Sequence, residues 1–199
     1  MERDEKIEEP NILSPMVPEW TTARLTLRRL AASDARTMFA YRSLPEVARY
    51  QQFVPATVEA VQEFITQYSS GEVGVPGTWF QPGIVLSRTG ELVGDCGMHF
   101  PRENESQAEV GITLAPAHQG RGYAAETLEK VLDVLFCTIG KHRVIANVDP
   151  RNAASIALVS RIGMREEGHF RKSIWAHGEW MDDLQYAILE EEWKHRSER

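Results

Sequence analysis

The sequence predicts an α/β fold, in the α+β sense: one domain built on a mostly antiparallel sheet flanked by helices. Three observations lead there. Strand and helix signals run in the order strand, two helices, three strands, helix, strand, helix, two strands. Two consecutive helices followed by a meander do not fit a regular βαβαβ sheet. The length, 199 residues without an internal repeat, suits one domain with a sizeable core.

Residues 1–20 read as a flexible acidic tail, rich in Glu and broken by Pro10, Pro15 and Pro18. The domain proper is expected over 21–193, with a short C-terminal tail at 194–199. Alternation at Leu25 and Leu27 predicts a strand over 23–29. Ser33 and Asp34 can cap a helix through Phe39 and Tyr41, which Pro45 should break. Val58, Val61, Phe64 and Ile65 share one face of a second helix, from Thr57 to about Tyr68. Gly71, Gly74, Pro76 and Gly77 mark a loop. Two apolar runs, 79–88 and 91–100, meet at Thr89-Gly90 as a hairpin. A strand over Ala108–Leu114 follows. Leu128, Val131, Leu132, Leu135 and Phe136 then keep helical spacing over 122–137, and Gly140 suits the exit. Val144, Ala146 and Val148 alternate in a strand, and Pro150 and Asn152 open a helix to about Ile162. A hairpin turning at His177-Gly178 closes the domain.

Composition narrows the function. Hydrophobic residues at 42% and charged residues at 26% describe an ordinary globular chain. No apolar run reaches the ~18–20 residues of a membrane span. The first ten residues are acidic and have no apolar stretch, unlike a secretory leader, so a cytoplasmic location is expected. A net charge of −7 disfavours a nucleic-acid partner and mildly suits a cationic substrate. Cys96 and Cys137 lack metal-ligand spacing, so no metal is expected and both read as reduced core thiols.

The segment with chemical content runs from Ala108 to Leu128: a strand, a turn with two glycines, and a helix. Such a turn presents unpaired N–H groups at a helix N-terminus, where the helix dipole favours an anion. A phosphate or pyrophosphate is the natural ligand. Gly120 and Gly122 permit close backbone approach, and Arg121 can add a cation. A plain glycine turn would leave the same signature. Gly120-Arg-Gly122-Tyr-Ala-Ala125 also fits the dinucleotide pattern G-x-G-x-x-A. That fit is poor, because Ala115-Pro-Ala-His-Gln119 separates it from its strand and no acidic residue stands ~20 positions on.

Gln119-Gly-Arg-Gly-Tyr-Ala124 is similar to the Q/R-x-x-G-x-G/A pyrophosphate motif of the GNAT acetyltransferase superfamily. The blocks 142–155 and 160–168 resemble the second half of that family's coenzyme A site. Arg24-Leu-Thr-Leu-Arg28 and Gly178-Glu-Trp-Met-Asp-Asp-Leu-Gln-Tyr186 resemble its RimJ/RimL-like branch, the ribosomal-protein N-terminal acetyltransferases. The resemblance implies a mixed, mostly antiparallel twisted sheet, split where two parallel strands, here 108–114 and 144–148, splay apart around acetyl-CoA. It implies backbone contacts from Ile112, Thr113 and Leu114 to the pantetheine arm. Gln119, Gly120, Arg121, Gly122, Tyr123 and Ala124 would hold the pyrophosphate, and Asn152 and Ser155 would lie along the thiol end. Asn152 can equally cap its own helix. A homodimer is consistent with the resemblance.

The implied reaction is acetyl transfer from acetyl-CoA to a primary amine, with a protein or peptide N-terminus as the leading acceptor. The alternatives are a small-molecule amine (aminoglycoside, polyamine or amino acid) and a non-catalytic acyl-CoA-binding sensor. A neutral amine must attack, so a proton must leave. Glu109 is the first candidate base: it shares a strand face with Gly111 and Thr113, opposite Val110, Ile112 and Leu114. The family's usual acid is a tyrosine on the helix after the second splayed strand, but Val159 stands there. Ser155 is therefore the candidate for hydrogen-bonding the thiol. Trp79, His99, His118, Trp175 and His177 are acceptor-pocket candidates. His118 reads better as a turn residue, Trp175 and Trp180 read better as hairpin core, and Asp182 and Asp183 can attract a cationic amine or merely solvate the hairpin.

Overall fold

The structure, a computed structural model, describes residues 19–69 and 71–197. Most of the stretch expected to be an N-terminal tail lies outside the described residues. In chain order the elements are β1 (Trp20–Thr21), β2 (Leu25–Arg29), α1 (Ala35–Arg42), α2 (Pro45–Ala48), α3 (Val58–Ser69), β3 (Thr78–Phe80), β4 (Pro82–Leu86), β5 (Leu92–Phe100), β6 (Gln107–Leu114), α4 (Tyr123–Asp133), β7 (Arg143–Val148), α5 (Ala153–Arg161), β8 (Arg165–Ala176), β9 (Glu179–Leu189) and α6 (Glu190–Ser197). The strands form one sheet in the order β1-β2-β4-β5-β6-β7-β9-β8, with β3 also paired to β5. Every pairing is antiparallel except β6 with β7. The expected mixed, mostly antiparallel sheet with one parallel pair is therefore the fold. No described helix is long and apolar enough to cross a membrane.

Strand alternation divides the sheet into two faces of different chemistry. One face buries Leu25, Leu27, Val93, Met98, Val110 and Val144 against Leu128, Val131, Leu132 and Leu135. Each such side chain contributes roughly 2 kcal/mol of hydrophobic stabilisation. Beneath α1 and α3 the opposite face has a smaller apolar cluster, including Met38, Val61, Ile65, Val85 and Leu92. The middle of that second face is polar.

Several elements differ from the expectation for local reasons. Pro45 starts a short helix instead of merely stopping one, because proline suits the first helical turn. The arm expected over 79–88 breaks at Gln81, whose side chain turns inward to Asp95. The helix expected to Cys137 is α-helical only to Asp133 and then widens into a π-turn over Val134–Thr138. Cys137 is consequently exposed, so only Cys96 is a core thiol. Residues 194–197, expected as tail, continue α6. Trp193 Nε1–H donates to Asp133 Oδ1 at 2.9 Å and Arg196 reaches Glu129 at 3.3 Å, which ties α6 to α4. Trp175 and Trp180, expected as hairpin core, are 60% and 57% exposed and pack on each other edge to face. They are register partners beside the turn of the hairpin, where both remain largely in solvent.

Asp95 is the polar centre of the second face. It is fully buried and accepts from the Tyr41 hydroxyl, the Arg42 guanidinium and, at 2.5 Å, Gln81 Nε2. Arg42 also donates to the Phe53 carbonyl at 3.3 Å. Helix α1 and the segment after α2 are thus docked on β5 through one carboxylate. A buried ion pair gives little net stability, but removing one partner strands the other. Asp95→Ala should lower the unfolding free energy by about 3–5 kcal/mol in equilibrium urea denaturation; a loss below about 1 kcal/mol would mean that apolar contacts alone dock α1.

Candidate active site

Strands β6 and β7 share only three register pairs, Gln107 with Arg143, Ala108 with Val144 and Glu109 with Ile145. Beyond them the strands part. β6 stays paired with β5 as far as Leu114, and β7 with β9 as far as Val148. Backbone groups alternate in direction along a strand, and Ala115 N–H donates to Val93 of β5. The groups of Ile112 and Leu114 therefore turn towards the gap, and those of Thr113 towards β5. The Leu114 carbonyl is taken by Gln119 Nε2 at 3.0 Å. A cleft of about 670 Å³ runs through the gap, lined on one side by Glu109 to Thr113 and on the other by Ala146 to Asp149, Asn152 and Ser155.

At one end of β6 the chain makes a tight turn before α4. Gly120 and Gly122 have φ of 71° and 81°, the left-handed region that favours glycine. Gly122 occupies the N-cap position of α4 and supplies no side-chain oxygen, so the first-turn N–H groups, from Tyr123 onward, have no partner within the helix. A Cβ at Gly120 would meet open space. The turn is an open cradle of donors, which fits an anionic group. Asn152 caps α5 instead of projecting freely: its Oδ1 accepts from Ser155 N at 3.1 Å. Both the capping role and the cleft position of Asn152 are therefore present. Val159 is buried at the cleft wall, and no hydroxyl stands in its place.

On the polar face a row of polar side chains crosses four strands, with hydrogen bonds linking its last three members. His99 Nδ1 lies 3.7 Å from Glu109 Oε2, Asn147 Nδ2 donates to Glu109 Oε1 at 3.1 Å, and Gln185 Nε2 reaches Asn147 Oδ1 at 3.5 Å. Trp79 stacks on His99, centroids 4.7 Å apart. Register explains the row, because Trp79 faces His99, His99 faces Glu109, and Asn147 faces Gln185. Asp149, Asp182 and Asp183 line the same cleft. Burial pushes the Asp183 carboxyl up to about 6, with the charges of Glu109 and Asp149 adding to the effect. Burial also works to raise Asp149, but its hydrogen bonds with Arg151 outweigh that and hold it low. Asp182 is held low by the Lys172 N–H and by His169.

The cleft also gathers residues that were not singled out in the sequence. Tyr50, Gln51 and Phe53, in the segment after α2, line it. Thr113 Oγ1 donates to Gln51 Oε1 at 3.1 Å, and Tyr50 Oη donates to the Arg151 carbonyl at 3.3 Å. The segment thus straps the two sides of the gap together. Asn147 carried a signal: it is the polar interruption of an apolar strand, on the face opposite Val144, Ala146 and Val148. The strap carried none, since only the fold brings it there. His177 lies at the cleft, whereas His118 pairs with Glu91 at 3.1 Å outside it. Trp175 and Trp180 are not among the cleft residues. Among the described residues, no group of three or more His, Cys, Asp or Glu side chains could hold a metal ion.

Residues 24–165 match the model of the acetyltransferase (GNAT) domain. The uncharacterized N-acetyltransferase p20 of Bacillus licheniformis is 31% identical over 173 residues, which covers 86% of this chain and 96% of that one. The ribosomal protein uS5-alanine N-acetyltransferase of Escherichia coli is 25% identical over 180 residues, 85% of this chain and 92% of that one. A GNAT-family acetyltransferase from Bacillus anthracis superposes with a TM-score of 0.77 at 30% identity, covering 87% of this chain and 99% of that one. Together with the split sheet and the donor-lined turn, these matches identify the chain as a member of the GNAT acetyltransferase family, an acyltransferase whose acetyl donor is acetyl-CoA.

Proposed function

We propose that this chain acetylates a primary amine, most aptly the N-terminal amine of a protein or peptide, within the domain 21–193. The observation that carries the reading is the cleft itself, which runs through the gap between Glu109–Thr113 and Ala146–Asp149 and holds the polar row at Glu109. Bound acetyl-CoA supplies the activated thioester. The turn Gln119–Ala124 suits its pyrophosphate: Gly120, Gly122, Tyr123 and Ala124 offer backbone N–H groups, and Arg121 adds charge. Gln119 braces the turn against Leu114. The backbone of Ile112, Thr113 and Leu114 runs along the cleft where an extended amide-bearing arm would lie. Asn152 and Ser155 line its far wall, and Ser155 Oγ–H is the donor offered to the sulfur in place of the tyrosine that Val159 replaces.

Glu109 takes the amine proton, directly or through one water. Asn147 holds one carboxylate oxygen, which leaves Oε2 to face His99 and the acceptor side. The RimJ/RimL-like features of the chain support an N-terminal acceptor, as does the name of the uS5-alanine enzyme it resembles. Convergence of Glu109, Asp149, Asp182 and Asp183 on the cleft favours a second reading, a small polycation such as a polyamine. Both acceptors arrive as ammonium ions, which the carboxylates attract before the proton is given up. Thiol release with an N-terminal peptide panel set against a polyamine panel separates the two readings.

Glu109→Gln should lower turnover about a hundredfold while leaving the acetyl-CoA dissociation constant within about twofold; unchanged turnover would remove Glu109 from the chemistry. Gly122→Val should weaken acetyl-CoA binding at least about tenfold, since a β-branched residue resists φ near 80° and would crowd the turn. Wild-type affinity in that variant would count against the turn. Asp183, raised to about 6, is charged above that pH and neutral below it. The KM for a cationic acceptor should therefore rise as pH falls through about 6, and Asp183→Asn should show a raised KM without that pH step. A step that persists in Asp183→Asn belongs to another group.

A further inference from the structure

The run Arg24-Leu-Thr-Leu-Arg28 leads into β2, yet its first residue reaches the phosphate turn. Arg24 sits just before the strand, and its side chain lies on the first turn of α4. Nη1 donates to the Arg121 carbonyl at 3.0 Å, Nε donates to Glu126 Oε2 at 2.6 Å, and the guanidinium lies 4.7 Å above the Tyr123 ring. A Cβ placed on Gly122 would come within 3.3 Å of Arg24 Nη2. Glu126 is held further by Thr22 Oγ1 at 2.5 Å and by the Arg24 backbone N–H at 2.9 Å, both on Oε1. Three residues of one turn, Arg121, Tyr123 and Glu126, are thus gripped by a single side chain that is distant in sequence.

Two physical consequences follow. The peptide plane is rigid and trans, so its carbonyl and N–H point in opposite directions. By holding the Arg121 carbonyl, Arg24 fixes the Gly122 N–H pointing away from itself. The second consequence is electrostatic. Glu126 occupies the first turn of α4, where a carboxylate is favoured by the helix dipole and competes with any other anion. Burial works to raise the Glu126 carboxyl, but its bonds to Thr22 and Arg24 outweigh that and keep it ionised. Unopposed, its charge would repel a pyrophosphate on the same turn. Arg24 is the cation paired with it, at 2.6 Å.

We propose that Arg24 is a positioning residue for coenzyme A: it neutralises Glu126 and orients the Arg121–Gly122 peptide, so that the turn presents donors and no net negative charge to the pyrophosphate. The inference rests on the reading of Gln119–Ala124 as the pyrophosphate site. No contact between Arg24 and the ligand is required; Arg24 acts through the turn.

The test measures dissociation constants for coenzyme A and for pantetheine, which lacks the phosphates, by calorimetry on the full chain. Arg24→Ala should weaken coenzyme A about five- to tenfold and leave pantetheine within about twofold, as expected for a half-exposed charge pair. The double variant Arg24→Ala/Glu126→Gln should recover part of the lost coenzyme A affinity, at least about twofold over the single variant, because the charge is removed while the Arg121–Gly122 peptide stays unheld. The amide oxygen introduced by Glu126→Gln can still accept from Thr22 and from the backbone N–H of position 24, so the second substitution removes chiefly the charge. Arg24→Lys keeps the charge and loses the fork; it should stay within about threefold, and it serves if Arg24→Ala does not fold. Equal weakening of both ligands in Arg24→Ala, or a double variant no better than the single one, would overturn the proposal and leave Arg24 a packing residue. A wild-type protein that binds coenzyme A and pantetheine equally would refute the pyrophosphate reading itself, a result distinct from either of those.

Discussion

Two neighbouring strands that stop bonding to each other inside a continuous sheet create a problem that the rest of the molecule is arranged around. β6 and β7 pair through Glu109 and Ile145 and then separate, while each remains fully paired on its other side. Buried backbone groups left without partners carry a free-energy cost comparable to lost hydrogen bonds. A ligand with its own amide groups can satisfy them, and water can enter when the ligand is absent. The gap needs support on both sides, and the long antiparallel pairings of β5 with β6 and of β7 with β9 supply it. The strap at Tyr50 and Gln51 then bridges the gap through Arg151 and Thr113.

The same sheet serves two purposes because its faces are chemically different. The apolar face packs on α4 and α5 and sets the position of the glycine turn at 119–122, since that turn leads into the N-terminus of α4. The polar face carries Trp79, His99, Glu109, Asn147 and Gln185 as one cross-strand row. A one-residue shift of β6 would move Glu109 from that row into the apolar core. Register is therefore what keeps the candidate base beside the gap. Asp95 extends the second face beneath α1, where its four donors hold the helix and the strap in place.

Much of this was legible in the sequence because it depends on periodicity. Leu128, Val131, Leu132 and Leu135 mark the buried side of α4, and the alternation around Glu109 put it on the face away from Val110. Gly120 and Gly122 are glycines because of their positive φ, as a phosphate-type turn would require. The illegible parts depend on long-range packing. Trp175 and Trp180 look like core residues by composition, yet they flank the hairpin turn and are largely exposed. Cys137 lost its helical spacing to a π-turn, which has no local sequence signature. The strap at 49–53 and the four donors of Asp95 come from segments far apart in the chain. Arg24 is the intermediate case: its motif was visible, but its reach to Arg121 and Glu126 appears only in three dimensions.

We propose that acetyl-CoA lies in the gap between β6 and β7, with its pyrophosphate at the turn beside it. Amide hydrogen exchange with and without acetyl-CoA tests this most directly. Bound acetyl-CoA should slow exchange at the gap-facing amides of Ile112 and Leu114 and across Gly120–Ala125, while the amides of β8 remain unchanged. Slowing confined to β8 and the hairpin tip, or none at the turn, would contradict it.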